Sequence, residues 1–116
     1  MSASTPISYI EFAANDLTAI KAFYSEAFDW QFVDYGPDYI AFENAGIAGG
    51  FYDSTLHADA NKGSALIVLY TDNLENCLNK VVECGGIIKT NIFTFPGGRR
   101  FHFLDPCQNE LSVWAN

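Results

Sequence analysis

Apolar and polar positions alternate along residues 7–14, with Ile10, Phe12 and Ala14 on one face and Tyr9, Glu11 and Ala13 on the other, which predicts a half-buried strand. The alternation breaks at Asn15-Asp16. Apolar residues then recur at helical spacing (Leu17, Ile20, Phe23, Tyr24, Ala27), so a helix is expected over 17–28 with Asp16 or Asn15 as its N-cap. Three short strands follow, Trp30–Tyr35, Tyr39–Glu43 and Ile47–Tyr52. Gly36-Pro37-Asp38 and Asn44-Ala45-Gly46 separate them with residues suited to turns.

The same order of patterns returns 57 residues later. Tyr9-Ile-Glu-Phe-Ala-Ala-Asn-Asp-Leu17 has its counterpart in Leu66-Ile-Val-Leu-Tyr-Thr-Asp-Asn-Leu74, again with leucine after a polar pair. Ser64–Tyr70 reads as a strand, and Asp72 with Glu75 as a capping box. The helix they open runs through about Cys84 on a stripe of Leu74, Leu78 and Val81, and Gly85-Gly86 ends it. Ile87–Phe93, Arg99–Leu104 and Glu110–Trp114 are the closing strands, with Pro96-Gly97-Gly98 and Asp105–Asn109 as turns. The expected fold is α+β: two βαβββ modules in a single domain spanning 1–116. Module 1 covers about 6–54, a polar linker about 55–63 and module 2 about 64–116. One helix covers each half-sheet, and the opposite faces are expected to curve around a shared cleft, the usual place for a ligand.

Composition narrows the partners. With 49% apolar and 16% aromatic residues, the chain can build a packed core. No apolar run approaches the roughly 20 residues of a membrane helix, and residues 1–6 lack the features of a signal peptide. No membrane partner is expected, therefore, and a cytoplasmic location is. A net charge of −8 disfavours nucleic acid as a partner and favours cationic ligands over anionic ones. Cys77, Cys84 and Cys107 are an odd number without metal-ligand spacing and read as reduced thiols in or near the core.

Two stretches carry a family resemblance: Tyr9-x-Glu-Phe-x-x-x-Asp16-Leu17 followed by Phe23-Tyr24, and Gly97-Gly98-Arg-Arg-Phe-His-Phe-Leu-Asp105-Pro106 followed by Asn109-Glu110-Leu111. Together with the duplication they resemble the vicinal oxygen chelate superfamily, which contains glyoxalase I, extradiol dioxygenases, and the bleomycin and fosfomycin resistance proteins. The resemblance implies a homodimer, and a metal centre whose four ligands, typically His, Glu or Gln, stand on the first and last strands of each module. Carried onto this chain, those positions are Tyr9, Leu66, Ser112 and a place near Gly50 within Gly49–Tyr52. A divalent ion needs at least three converging N or O side chains. A leucine and a glycine-rich stretch cannot supply them, so the expectation is no metal and no cofactor.

Strand alternation turns Tyr9, Glu11, Leu66, Val68, Tyr70, Arg100, His102, Glu110, Ser112 and Trp114 toward the cleft, with Tyr52 or Phe51 from the fourth strand. Glu11 is a candidate proton acceptor if its environment is apolar and unpaired, the alternatives being a pairing with Arg99 or Arg100 or a place at the solvent rim. His102 is a candidate acid or base, or with Glu11 a displaced metal ligand. Arg100 suits a carboxylate or phosphate, and Tyr9, Tyr70 and Trp114 suit stacking. The expected function is binding of a small, cationic or aromatic molecule in an aromatic-lined cleft. The alternatives are a lyase, isomerase or dioxygenase-like enzyme acting on a small oxygenated metabolite through Glu11 or His102, and a domain whose cleft is filled by its own side chains.

Overall fold

The computed structural model describes residues 4–116. The elements run β1 (Tyr9–Ala14), α1 (Leu17–Phe28), β2 (Gln31–Asp34), β3 (Tyr39–Glu43), β4 (Ala48–Asp53), a 3₁₀ turn (Ala60–Lys62), β5 (Ile67–Tyr70), α2 (Leu74–Glu83), β6 (Ile87–Phe95), β7 (Gly98–Leu104) and β8 (Glu110–Ala115). They form two four-stranded sheets of the same topology, β1-β4-β3-β2 and β5-β8-β7-β6, and in each the first strand lies parallel to the last. The α+β fold of two βαβββ modules is what the repeated pattern predicts.

Local chemistry sets the boundaries. Asp16 caps α1, its carboxylate accepting from the Ala19 N–H at 3.0 Å. The second helix departs from expectation: Asn73, not Asp72, is the N-cap, and its side chain accepts from the Asn76 N–H at 3.1 Å. This places Asn73 where Asp16 stands in module 1, directly before the leucine that opens the helix. Past α2, Gly85 takes φ +101, a left-handed conformation that costs glycine little.

The helices bury their apolar stripes against the sheets, and one core serves both modules. Ile20, Phe23 and Tyr24 of α1 are fully buried, as are Leu74 and Val81 of α2 and Phe101, Phe103, Leu111 and Val113 of β7 and β8. Aromatic contacts cross the seam: Phe103 of module 2 lies 5.9 Å from Phe23 and 5.6 Å from Phe28, centroid to centroid. Burying side chains of this size gives about 1.5–3 kcal/mol each before the cost of ordering them.

The polar part of the seam is the Asp105–Asn109 turn. Asp105 is buried and accepts four hydrogen bonds, from the Cys107 and Asn109 N–H groups, from Asn109 Nδ2 and from the Tyr24 hydroxyl. Burial pushes its carboxyl above the usual range, against the pull of those donors. Asn109 Nδ2 also donates to the Ala13 carbonyl of β1, and its Oδ1 accepts from the Ala58 N–H of the linker. The Asp-Pro…Asn stretch thus ties β1, α1 and the linker to module 2.

The charge is lopsided. Residues 6–54 hold eight of the 14 acidic residues and a single base, Lys21; residues 64–116 hold five acids and four bases. No helix among the described residues is long and apolar enough to cross a membrane.

Candidate functional site

Alternation along β1, β5, β7 and β8 sorts side chains as expected: Phe12, Phe101, Phe103, Leu111 and Val113 enter the core, and their neighbours face away from the helices. The candidate residues gather in two groups. Tyr9, Glu11 and Tyr52 belong to module 1; Leu66, Val68, Tyr70, Arg100, His102, Ser112 and Trp114 belong to module 2. Among the described residues no hydrogen bond or ring contact joins the groups.

In module 1 the register pairs Glu11 with Gly50 and Ala41 with Gly50, which brings β3 beside β1 across β4. Gly50 has no side chain, and a Cβ there would collide with the Tyr39 phenol and the Ile40 carbonyl. Tyr39 fills that space. Its hydroxyl donates to Glu11 Oε2 at 3.0 Å and lies 2.5 Å from the Tyr9 hydroxyl. Since Tyr39 spends its one proton on Glu11, Tyr9 is the donor to Tyr39. Burial pushes the Tyr39 phenol well above its ordinary range, and both hydrogen bonds push the same way.

Glu11 is therefore exposed and paired with a phenol, neither alone in an apolar wall nor bonded to Arg99 or Arg100. Beside it runs a groove of about 380 Å³, lined by Glu11, Tyr52, Ile10 and Ile67 together with Leu56 and His57 of the linker. That volume lies in the range of small-molecule sites. A larger depression of about 500 Å³ lies between the end of α1 and α2 and touches Tyr70 alone of the predicted residues.

In module 2, His102 and Glu110 are coupled. His102 Nδ1 lies 3.0 Å from Glu110 Oε2, while Glu110 Oε1 accepts from Lys89 Nζ at 2.9 Å and from the Ala60 N–H at 3.2 Å. Burial would raise the Glu110 carboxyl, but the bonds from Lys89, His102 and Ala60 outweigh it and hold the group below its ordinary value. His102 Nε2 is buried without a partner. Ser112, facing the same way, is fully buried (0% exposed) and donates to the Phe101 carbonyl, so its hydroxyl is not offered to a ligand.

The adjacent arginines part. Arg99 makes a two-pronged ion pair with Glu75, and Arg100 lies with its guanidinium carbon 5.2 Å from the ring centroids of both Phe93 and Phe95. Trp114 meets Tyr70 edge-on at 5.1 Å. Leu66 is half-buried and Val68 exposed.

The four positions the resemblance assigns to metal ligands do not suit a divalent ion. They present a phenol already bonded to another phenol, a glycine, a leucine and a hydroxyl committed to a backbone carbonyl. Among the described residues no three His, Cys, Asp or Glu side chains converge as a metal site would need.

Tyr39 is the contributor that the sequence did not single out. Tyr39 carries one clue, an aromatic residue set directly after a turn. Its meeting with Glu11 depends on the β3–β4–β1 register, which alternation along one strand does not specify. His57 is a weaker candidate of the polar linker by sequence, and in the fold it lines the groove.

Among curated proteins, none matches the chain at the sequence level. Solved structures share its fold. A glyoxalase-related enzyme from Fulvimarina pelagi superposes with a TM-score of 0.81 at 19% identity, covering 97% of this chain and 88% of that one. The fosfomycin resistance protein FosX from Listeria monocytogenes gives 0.80 at 15% identity, covering 97% and 93%. Lactoylglutathione lyase from Agrobacterium tumefaciens gives 0.73 at 19% identity, covering 99% and 96%. At these identities the likeness is one of fold. The family model for the Glyoxalase/Bleomycin resistance protein/Dioxygenase superfamily matches residues 7–113, nearly the whole chain, and the chain belongs to that superfamily.

Proposed function

We propose that this chain binds a small molecule in the groove beside Glu11 and does so without a resident divalent metal. The observation that carries the reading is the Tyr39 phenol seated over Gly50 and bonded to Tyr9 and Glu11. Within Gly49–Tyr52, where the family resemblance implies a metal ligand, Gly50 is covered by a phenol. A carboxylate among exposed tyrosine rings (Tyr9 is 48% exposed) offers charge and π-faces together, which suits a cationic, flat ligand. The acid-rich module 1 adds to the attraction.

The test is a thermal-shift series with benzyltrimethylammonium as probe, alongside elemental analysis of the purified protein. The expected result is saturable stabilisation, weakened about tenfold by Glu11→Gln, the loss of one favourable charge contact, and indifferent to EDTA. One equivalent of Zn, Ni, Mn or Fe, with marked destabilisation on chelation, overturns the metal-free reading.

A second reading, a lyase or isomerase, is favoured by the His102–Glu110 pair. Glu110 fixes Nδ1 as the donor, which leaves Nε2 to move a proton. A turnover with a pH-dependent rate that collapses in a folded His102→Gln variant would select it. The acid-rich module 1 and the base-bearing module 2 also support a homodimer in which unlike halves meet, and light scattering at low and high salt checks that.

A further inference from the structure

The register of module 2 sets four side chains in one row across the sheet. Phe93 of β6 stands opposite Arg100 of β7, Arg100 opposite Trp114 of β8, and Trp114 opposite Tyr70 of β5. The row faces away from α2, because Phe101 and Val113, the next residues along β7 and before Trp114 along β8, are buried in the core. Contacts knit it together: Arg100 lies against the Phe93 and Phe95 rings, and Trp114 packs edge-on against Phe95 at 6.3 Å and Tyr70 at 5.1 Å.

The charge of Arg100 is unanswered. The chain has 14 carboxylates for six Lys and Arg residues, yet among the described residues Arg100 has no carboxylate within ion-pair distance. Its Nε is buried with no hydrogen-bond partner. Arg99, one residue earlier and on the opposite face, has Glu75. Ring faces stabilise a guanidinium, but they accept none of its in-plane N–H bonds, and donors left unmet are costly. A guanidinium set against two rings with no carboxylate of its own keeps its N–H fork free for a ligand carboxylate. One step along the same face of β7, His102 Nε2 is the other buried nitrogen without a partner.

We infer that this row is a binding subsite for a small planar carboxylate, its two oxygens on Arg100 and its flat body against Trp114 and Tyr70. Tyr70 is 52% exposed, so its ring is open to a ligand. One guanidinium matches a singly charged carboxylate, and the rings beside it favour a flat apolar body over a bare inorganic anion. The inference rests on the small-molecule reading above but uses different residues, so the two can fail separately.

The test is a titration of the full-length protein with benzoate, followed by the NMR signals of the Trp114 indole N–H and the Arg100 Nε–H, with inorganic phosphate and benzylamine in parallel. Saturable shifts of both signals with benzoate alone are expected. Arg100→Lys, which keeps the charge and loses the fork, weakens binding at least tenfold, and Arg99→Lys leaves it unchanged. A folded Tyr70→Leu variant, should Arg100→Lys not fold, weakens benzoate binding several-fold. The inference is overturned if benzoate leaves Trp114 unmoved, if phosphate saturates the signals equally well, or if Arg100→Lys binds as tightly as the parent. Saturation by benzyltrimethylammonium at Tyr9 and Tyr39 with no benzoate effect at Trp114 would overturn this inference alone. The converse pattern would overturn only the reading of the Glu11 groove.

Discussion

The Tyr24 hydroxyl donates to Asp105 Oδ2 at 2.9 Å, a hydrogen bond between residues 81 positions apart and inside the core. It joins the helix of module 1 to the closing turn of module 2, and both partners are buried. Removing the hydroxyl leaves Asp105 with three donors in place of four. Tyr24→Phe is therefore expected to destabilise the fold by about 1–3 kcal/mol, the loss of one buried hydrogen bond to a carboxyl group. Urea denaturation measures it, and a change under about 0.5 kcal/mol would mean that the bond contributes little to joining the modules.

Gly50→Ala forces a methyl group into the Tyr39 phenol and the Ile40 carbonyl. Overpacking of this kind costs about 1–3 kcal/mol. Part of the loss should return in a Gly50→Ala/Tyr39→Ala double variant, because the ring would be gone and the carbonyl would stay. A double-mutant cycle with no coupling would place Tyr39 elsewhere.

Glu110 gives the protein an acid-sensitive contribution. Its folded-state carboxyl titrates below the ordinary value of 4.5, so its stabilising effect is complete above that pH and is lost as pH falls through the folded value. Lys89, raised chiefly by its bond to Glu110, behaves oppositely: its contribution is complete below its ordinary value of 10.5 and is lost as pH rises through the folded one. The Tm difference between the parent and Glu110→Gln should shrink as pH falls below about 4.5. A difference that grows on acidification would contradict the pairing.

The three thiols should be sluggish. Burial raises Cys77, Cys84 and Cys107 above the ordinary thiol value, which lowers the thiolate fraction, and Cys107 is also the least accessible. With a disulfide reagent at neutral pH, Cys107 is expected to react slowest and to accelerate sharply once the protein unfolds. Rapid labelling of Cys107 in the native state would show that the Asp105–Asn109 turn opens.

Element order and the burial of alternate side chains were legible in the chain, because two periods, 2 and 3.6, switch cleanly at Asp16 and at Asn73. Strand ends were less so: β2 stops short of Trp30 and Tyr35, and β6 runs on to Phe95. The site was legible as a set of faces but not of partners. From the sequence Glu11 is a proton acceptor in an apolar wall, a partner of Arg99 or Arg100, or a carboxylate at the rim; in the fold it is exposed and meets Tyr39, a partner that only the register across the sheet specifies. Alternation alone separates the two arginines, but it does not name their partners: Arg99 is bound to Glu75 of α2 and Arg100 lies against the Phe93 and Phe95 rings. The Asp-Pro…Asn stretch, which helped mark the family, ties the modules together and reaches the groove only through Asn109.

The seam between the duplicated halves has a consequence for how this molecule can vary. Phe103 reaching Phe23 and Phe28, and Asn109 reaching back to Ala13, leave neither half a finished surface of its own. What began as a repeat now behaves as an indivisible body: excising one copy would strip solvent cover from the other, and exchange with a foreign half would demand that the aromatic joint be recut on both sides.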